Sequence, residues 1–297
     1  MKIDPRHLIN LLAIATHGSF NRAAAALGIS QPALSNSIAQ LERRLGVTVL
    51  DRSRRGSEIN EFGRILLQGA RVLEAVLAQS ADQLRLRRLG MEGPLRIGAT
   101  PSMTLKFMPE FMAALLKNQG ALDITLIEGL DDELVGALRA GGLELVFGTA
   151  LGSALPGDLV EESLFDDPFA IGVGPRHELR QRKSLTLAEL RDYPWVLPGT
   201  GSAYRRYVEA LFLTAGIPWP QDHVVSNSLQ LVESIVALSN RVTIVTRMQV
   251  ARHNFWRLRA IPLRGAGRRS LSVKWRRTAQ LSPLGTRIVE LAHSARL

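Results

Sequence analysis

Residues 18–42 read Gly18-Ser19-Phe20-Asn21-Arg22-Ala23-Ala24-Ala25-Ala26-Leu27-Gly28-Ile29-Ser30-Gln31-Pro32-Ala33-Leu34-Ser35-Asn36-Ser37-Ile38-Ala39-Gln40-Leu41-Glu42. Two helices and a tight turn account for the whole stretch. Ser19 is a good N-cap for an alanine-rich helix over Phe20–Leu27. Gly28-Ile29 leaves room only for a sharp turn, and Ser30 caps a further helix over Gln31–Leu45 that tolerates Pro32 in its first turn. Leu34, Ile38 and Leu41 fall at i, i+4 and i+7 and face a core. The small alanines at 23–26 let the two helices approach closely. So short a turn points the start of the second of them outward, with free N–H groups and Ser/Gln side chains available to a DNA groove. Gln31, Pro32, Ser35 and Asn36 then lie on or near the outer face.

On the N-terminal side, Pro5 to Thr16 reads as another helix, closed by His17-Gly18. Lys2 and Arg6 before an apolar run could imitate a signal peptide, but Asp4 interrupts the charge, the run is short, and Leu8, Leu11, Leu12 and Ala15 keep helical spacing. On the C-terminal side, Val47-Thr48-Val49-Leu50 and the basic Arg52-Ser53-Arg54-Arg55-Gly56-Ser57 up to Ile59 read as two short strands around a turn. Asn60 caps a long helix to about Leu89. Its apolar residues Phe62, Ile65, Leu66, Val72, Leu73, Val76, Leu77 and Leu84 recur every three or four positions. A lone helix of that length has no core of its own, so a partner helix, and hence a dimer, is expected.

This string strongly resembles the winged helix-turn-helix of LysR-type transcriptional regulators. The resemblance continues through Leu41-Glu42-x-x-Leu45-Gly46, the Arg52-x-x-Arg55-Gly56 wing, the long helix and Leu95-Arg96-Ile97-Gly98. It implies an α/β protein with an N-terminal all-α winged helix-turn-helix (residues 1–60), a linker and dimerisation helix (61–92) and a two-lobed, periplasmic-binding-protein-like effector domain (93–297). Lobe I would take about 93–164 and 268–297, lobe II about 165–267. In such regulators the recognition helix enters the major groove and the wing touches the backbone or minor groove. Carried over by position, Ser30, Gln31, Pro32, Ser35 and Asn36 would approach bases and phosphates, with Ser19 and Asn21 beside them and Arg52, Arg54 and Arg55 serving the wing. The family most often has Arg where this chain has Asn36, which replaces an arginine contact by a possible Asn–adenine contact. Asp51 also departs from the usual start of the wing. Ser30 is equally well explained as a plain N-cap, and Arg54 as a solvated charge.

After Gly90–Pro94 the pattern changes to alternating strands and helices. Strands are expected at 95–99, 123–127, 143–147, 169–173, 195–197 and 242–245. Helices are expected from Ser102, Asp131, Ser202, Ser228 and Ser282, with a capping box at Thr186-Leu187-Ala188-Glu189. This alternation indicates α/β architecture with largely parallel sheets. Ligands in such folds sit beyond the carboxyl ends of strands. Thr100, Ser102 and Met103 follow the first strand, Phe147 and Thr149 the third, and Gly199, Thr200 and Ser202 open a helix in the second lobe; Thr246 ends another strand. The resemblance implies an effector held between two lobes and lined at these positions. Ser102 and Ser202 are as readily explained as helix caps. An organic anion or a sugar-like molecule would suit the Ser/Thr set, and the resemblance implies a tetramer built as a dimer of dimers.

Bulk composition narrows the function classes. At 297 residues with 46% hydrophobic and 22% charged side chains, the chain is a globular protein of two or three domains. No cysteine is present, which excludes disulfides, thiolate nucleophiles and Cys-ligated metals. The six histidines lack metal-ligand spacing to one another. No cofactor is expected, and neither a P-loop lysine, a G-x-G-x-x-G nor a G-x-S-x-G elbow marks an enzyme. No segment is long enough to span a bilayer, and a cytoplasmic location is expected. The net charge of +10 invites an anionic partner. Its distribution is uneven: Ser234–Val289 holds twelve Lys/Arg and no acidic residue, whereas the first 60 residues hold eight basic and four acidic ones. Net charge therefore supports DNA binding only weakly.

Overall fold

A computed structural model of the chain describes residues 3–53, 56–117, 120–250 and 257–295. The chain forms two compact units, Met1–Leu89 with Arg139–Gly142, and Gly90–Leu138 with Leu143–Leu297.

The first unit begins with α1 (Pro5–His17), where Asp4 accepts from the Arg6 N–H as N-cap. Then follow α2 (Phe20–Leu27), α3 (Gln31–Leu45), the strands β1 (Leu50–Ser53) and β2 (Gly56–Ile59), and α4 (Glu61–Arg88). Gly18, Gly28 and Gly46 close the first three helices at φ +70°, +66° and +72°, a left-handed conformation that glycine adopts without a Cβ clash. Leu11, Leu12, Ile14, Ala23, Ala24, Leu34, Ile38, Leu41, Val49, Leu50, Leu67 and Ala70 form one buried core. Of the four alanines expected to pack, Ala23 and Ala24 are buried, while Ala25 and Ala26 are exposed. At 100° per residue the latter two rotate off the core face. Side chains then tie the elements together. His7 and Asn10 both hydrogen-bond the Ser37 hydroxyl at 2.7 Å, fixing α1 on α3. Glu42 accepts from the Val49 N–H at 2.9 Å, fixing the end of α3 to the strand that follows.

In α4 the 28 residues span about 42 Å at 1.5 Å per residue. Its first part packs on the core through Leu67 and Ala70, whereas Phe62, Ile65, Val76, Leu77 and Leu84 are exposed.

The second unit runs β3 (Glu92–Ala99), α5 (Met108–Leu116), β4 (Leu122–Glu128), α6 (Asp131–Arg139), β5 (Leu145–Thr149), β6 (Leu159–Val173), β7 (Trp195–Leu197), α7 (Ala203–Thr214), β8 (His223–Val225), α8 (Leu229–Leu238), β9 (Val242–Thr246), α9 (Arg247–Val250), β10 (Arg259–Pro262), β11 (Arg268–Arg276) and α10 (Pro283–Ser294). Its strands follow the order β4-β3-β5-β11-β6-β9-β7-β8, with β10 also on β6. The trios β4-β3-β5 and β8-β7-β9 are parallel, but β6, β10 and β11 pair antiparallel. The sheet is thus mixed rather than largely parallel. β6 carries the chain out of one half and β11 carries it back, so the two run in opposite directions. Each half has its own core. Leu95, Ile97, Phe107, Phe147, Val273 and Ile288 belong to the first, and Phe169, Ile171, Trp195, Phe212, Ile244 and Ile261 to the second.

Local departures from expectation have local causes. The helix expected from Ser102 starts as a π-turn over Met103–Phe107 and becomes regular α5 only at Met108. Pro109 offers no N–H to continue a ladder across that point. Glu189 accepts from the Thr186 N–H at 2.7 Å and its hydroxyl at 2.9 Å, half of the expected capping box, but a single 3₁₀ turn follows instead of a helix.

Candidate DNA-binding face and ligand cavity

α3 presents two unlike faces. Leu34 and Ile38 are fully buried, while Gln31, Pro32 and Asn36 on the first two turns are exposed and Ser35 is half-buried. The Ser30 hydroxyl accepts from the Ala33 N–H at 3.3 Å, and Ser19 accepts from the Arg22 N–H at the same distance, so both serines act as N-caps. Asn21, two residues beyond Ser19, is exposed. With Ser30 partly satisfying the first turn, the remaining N–H groups and the helix dipole leave a positive end facing outward. Arg52 lies in β1 opposite Ser57 of β2. Arg54 and Arg55 lie outside the described residues. Asp51 has a structural use: its carboxylate accepts from Asn60 Nδ2 at 3.4 Å, while that amide also donates to Thr48 O and caps α4 through Gly63 N–H.

In the second unit a cavity of about 60 Å³ opens where the ends of β3, β5 and β7 meet. Thr100, Ser102, Asp131 and Thr149 line it from one half, and Ser202, Tyr204, Asn227, Glu233 and Gln249 from the other, with Arg269 of β11 between. Arg269 is 1% exposed. Its Nη2–H donates to Asp167 Oδ2 at 3.0 Å and to Thr246 Oγ1 at 3.2 Å, and its guanidinium lies 4.9 Å from the Tyr204 ring centroid. Asp131 joins the two halves. Its carboxylate accepts from the Thr149 N–H at 3.2 Å on one side and from the Ala203 N–H, at the start of α7, at 3.1 Å on the other. Burial raises the Asp131 pKa, opposed by Lys274, the Ala203 N–H and Arg269. Lys274, completely buried behind the cavity, donates to Thr149 O and Ser272 Oγ and pairs with Glu161 at 3.3 Å. Burial lowers its pKa against the pull of Glu161 and Asp131.

Four of the nine expected ligand residues, Thr100, Ser102, Thr149 and Ser202, line this cavity. The other five do not. Met103 and Phe147 are buried in the first core, Phe147 beside Phe107 and Phe111. Gly199 donates its N–H to Asn227 Oδ1 behind the wall, Thr200 is exposed away from it, and Thr246 sits one bond back on Arg269. Of the two serines with an alternative role, Ser202 caps α7 while Ser102 makes no cap hydrogen bond. Sequence reading missed Asp131, Arg269, Tyr204, Asn227, Glu233 and Gln249. Asp131 carried a faint signal as an acidic residue opening a helix, which reads as dipole compensation.

A helix-turn-helix with a hairpin wing, joined to a two-cored α/β unit with a polar cavity, defines a ligand-responsive DNA-binding regulator. Comparison with known proteins agrees. The family model "LysR substrate binding domain" matches residues 88–296, and "Bacterial regulatory helix-turn-helix protein, lysR family" matches residues 5–64. The chain therefore belongs to the LysR family of DNA-binding transcriptional regulators with an effector-binding domain. It is 31% identical to the HTH-type transcriptional regulator GbpR of Azospirillum brasilense over 253 residues, 83% of this chain and 72% of that one. It is 29% identical to the regulator PcaQ of Agrobacterium fabrum, over 73% of this chain and 70% of that one. Full-length CbnR, solved in complex with its target DNA, shares the fold at a TM-score of 0.67 and 24% identity, with 98% of this chain and 99% of that one covered.

Proposed function

We propose that α3 reads the operator through Gln31, Pro32, Ser35 and Asn36, with Ser19, Asn21 and Ser30 nearby and the Arg52, Arg54 and Arg55 wing on the backbone. The observation that carries this reading is the division of α3, whose apolar face is buried while its polar first two turns are exposed. The exposed apolar row of α4 supports a homodimer through that helix, and a homotetramer as its assembly. The domain boundaries are those of the sequence: 1–60, 61–92 and 93–297, the last divided into lobes that share β6 and β11. The cavity between those lobes takes a small effector, an organic anion or a sugar-like molecule, whose binding modulates DNA binding or promoter activation. The protein acts as a regulator and not an enzyme, as its relatives do, and works beside DNA in the cytoplasm. Among the described residues no helix is long and apolar enough to cross a membrane.

Gel shift at fixed salt tests the interface. Ser35→Ala is expected to relax sequence preference, and Arg52→Ala to weaken binding to every duplex and to reduce the salt slope by about 1. Unchanged operator affinity in both variants would remove this site.

A further inference from the structure

Two buried polar atoms at the cavity have no hydrogen-bond partner among the described residues. Arg269 is 1% and Thr100 4% exposed, both line the cavity, and among the described residues neither Arg269 Nε nor Thr100 Oγ1 has a hydrogen-bond partner. Buried polar groups are normally satisfied, so these two mark where an acceptor oxygen belongs. On the facing wall Glu233 of α8 is half-buried, and burial alone raises its pKa. Among the described residues it has neither an ion pair nor a hydrogen bond. Glu233 therefore offers a free acceptor across the cavity from two free donors.

The charge count decides which ligand this set suits. Among the described residues Arg269 is the one cationic lining residue, and Asp167 already neutralises it at 3.0 Å. The lining also carries two carboxylates, Asp131 and Glu233. A carboxylate ligand would lose its water and meet two like charges with no unpaired cation among the described lining residues to offset them, which costs binding energy. A hydroxyl group both donates and accepts, so it can take Arg269 Nε–H or Thr100 Oγ–H on its oxygen and give its own proton to Glu233. Leu130, Val232 and Ile244 line the cavity beside these groups and offer a surface for C–H faces.

We infer that the cavity takes an uncharged polyhydroxylated ligand, a monosaccharide or alditol, held by Arg269, Thr100 and Glu233. This rests on the proposed reading of the cavity as the effector site and chooses between the two classes named there.

The test uses the full-length chain in thermal-shift and calorimetric titrations. The probes are D-glucose, D-galactose, L-arabinose and sorbitol against D-galacturonate, succinate and benzoate. At least one neutral compound is expected to raise Tm and bind, with monosaccharides and sorbitol distinguishing the cyclic from the open-chain source. Glu233→Gln and Thr100→Val are each expected to weaken that binding about tenfold, by loss of one hydrogen bond. The ligand-free near-ultraviolet circular-dichroism spectrum reports whether the ligand-binding unit of each variant keeps its packed aromatic core, and a variant that loses it is replaced by Glu233→Asp or Thr100→Ser. A response confined to the acids, strengthened by Glu233→Gln, would overturn the inference and leave the cavity reading standing. No response to any compound overturns it as well. If, in addition, Thr100→Val and Glu233→Gln leave Tm and promoter output unchanged in cells, the cavity reading falls with it.

Discussion

Asp131→Asn tests the link between the two halves of the ligand-binding unit. The native carboxylate is 3% exposed and satisfies two backbone donors, Thr149 N–H at 3.2 Å and Ala203 N–H at 3.1 Å. An asparagine keeps one acceptor oxygen and turns its amide N–H₂ toward the other donor. One buried N–H is then left unmet, which costs about 1–3 kcal/mol. Converted at ~1.4 kcal/mol per decade, that predicts roughly 5- to 140-fold faster amide exchange at whichever donor loses its partner. Ala203 should be the one affected, because Thr149 N–H lies on the same half as Asp131 and follows it when the halves separate. Hydrogen exchange resolved by residue is the assay, since a chain of two units need not unfold in one step. Unchanged protection at Ala203 through Arg206 would refute the link. The pH dependence has a defined sign. Burial raises the folded pKa of Asp131 above 3.8, so its contribution is full below that value and is lost as pH rises through the folded one. The stability advantage of wild type over Asp131→Asn should therefore be greatest in acid and shrink toward neutral pH.

Other substitutions probe separate parts of the account. Arg269→Met takes the guanidinium away from the buried Asp167 carboxylate and should destabilise the ligand-binding unit by up to about 3–5 kcal/mol in urea unfolding, whereas Arg269→Met with Asp167→Leu should recover much of that loss. Ile65→Asp with Leu77→Asp, both exposed on α4, should shift the sedimenting species toward monomer and weaken operator binding; an unchanged assembly would show that α4 is not the dimer contact. Glu189 is held at about 2 by the Thr186 N–H, the Thr186 hydroxyl and Arg182, so its contribution is present above pH 4.5 and lost as pH falls toward 2. Glu189→Gln should remove that part of the acid-side decline, with a Tm slightly below wild type at neutral pH that converges on the wild-type value near pH 2.

The helix-turn-helix was legible because its signals are local. Ser19, Ser30 and Asn60 cap the helices they were expected to cap, and Gly18 and Gly28 end the two helices before the expected turns. The order of strands and helices behind it was legible for the same reason. Strand direction was not: Arg269 of β11 pairs in register with Asp167 of β6, a contact between residues about a hundred positions apart that no local pattern carries. The cavity shows the same divide. Thr100, Thr149 and Ser202 stand at the junctions where strands end and helices begin, so position alone found them. Met103 and Phe147 stand there too, but apolar side chains with a core within reach bury themselves in it. Arg269 was hidden by its neighbours, since it lies in a run of twelve cations without an acid, which reads as solvated surface. Asp131 is meaningful only because α7, seventy residues later, brings the Ala203 N–H to it.

The central claim is that exposed polar residues at the start of α3 read a specific operator. Selection of binding duplexes from a random pool by the full-length chain, sequenced after successive rounds, tests it most directly. The account predicts enrichment of one motif present as two half-sites related by symmetry, with centres a multiple of about 10 base pairs apart. It also predicts that Ser35→Ala blurs the motif within each half-site and leaves their spacing intact. Recovery of no motif at all, or of the same motif at the same sharpness with Ser35→Ala and Gln31→Ala, would contradict it.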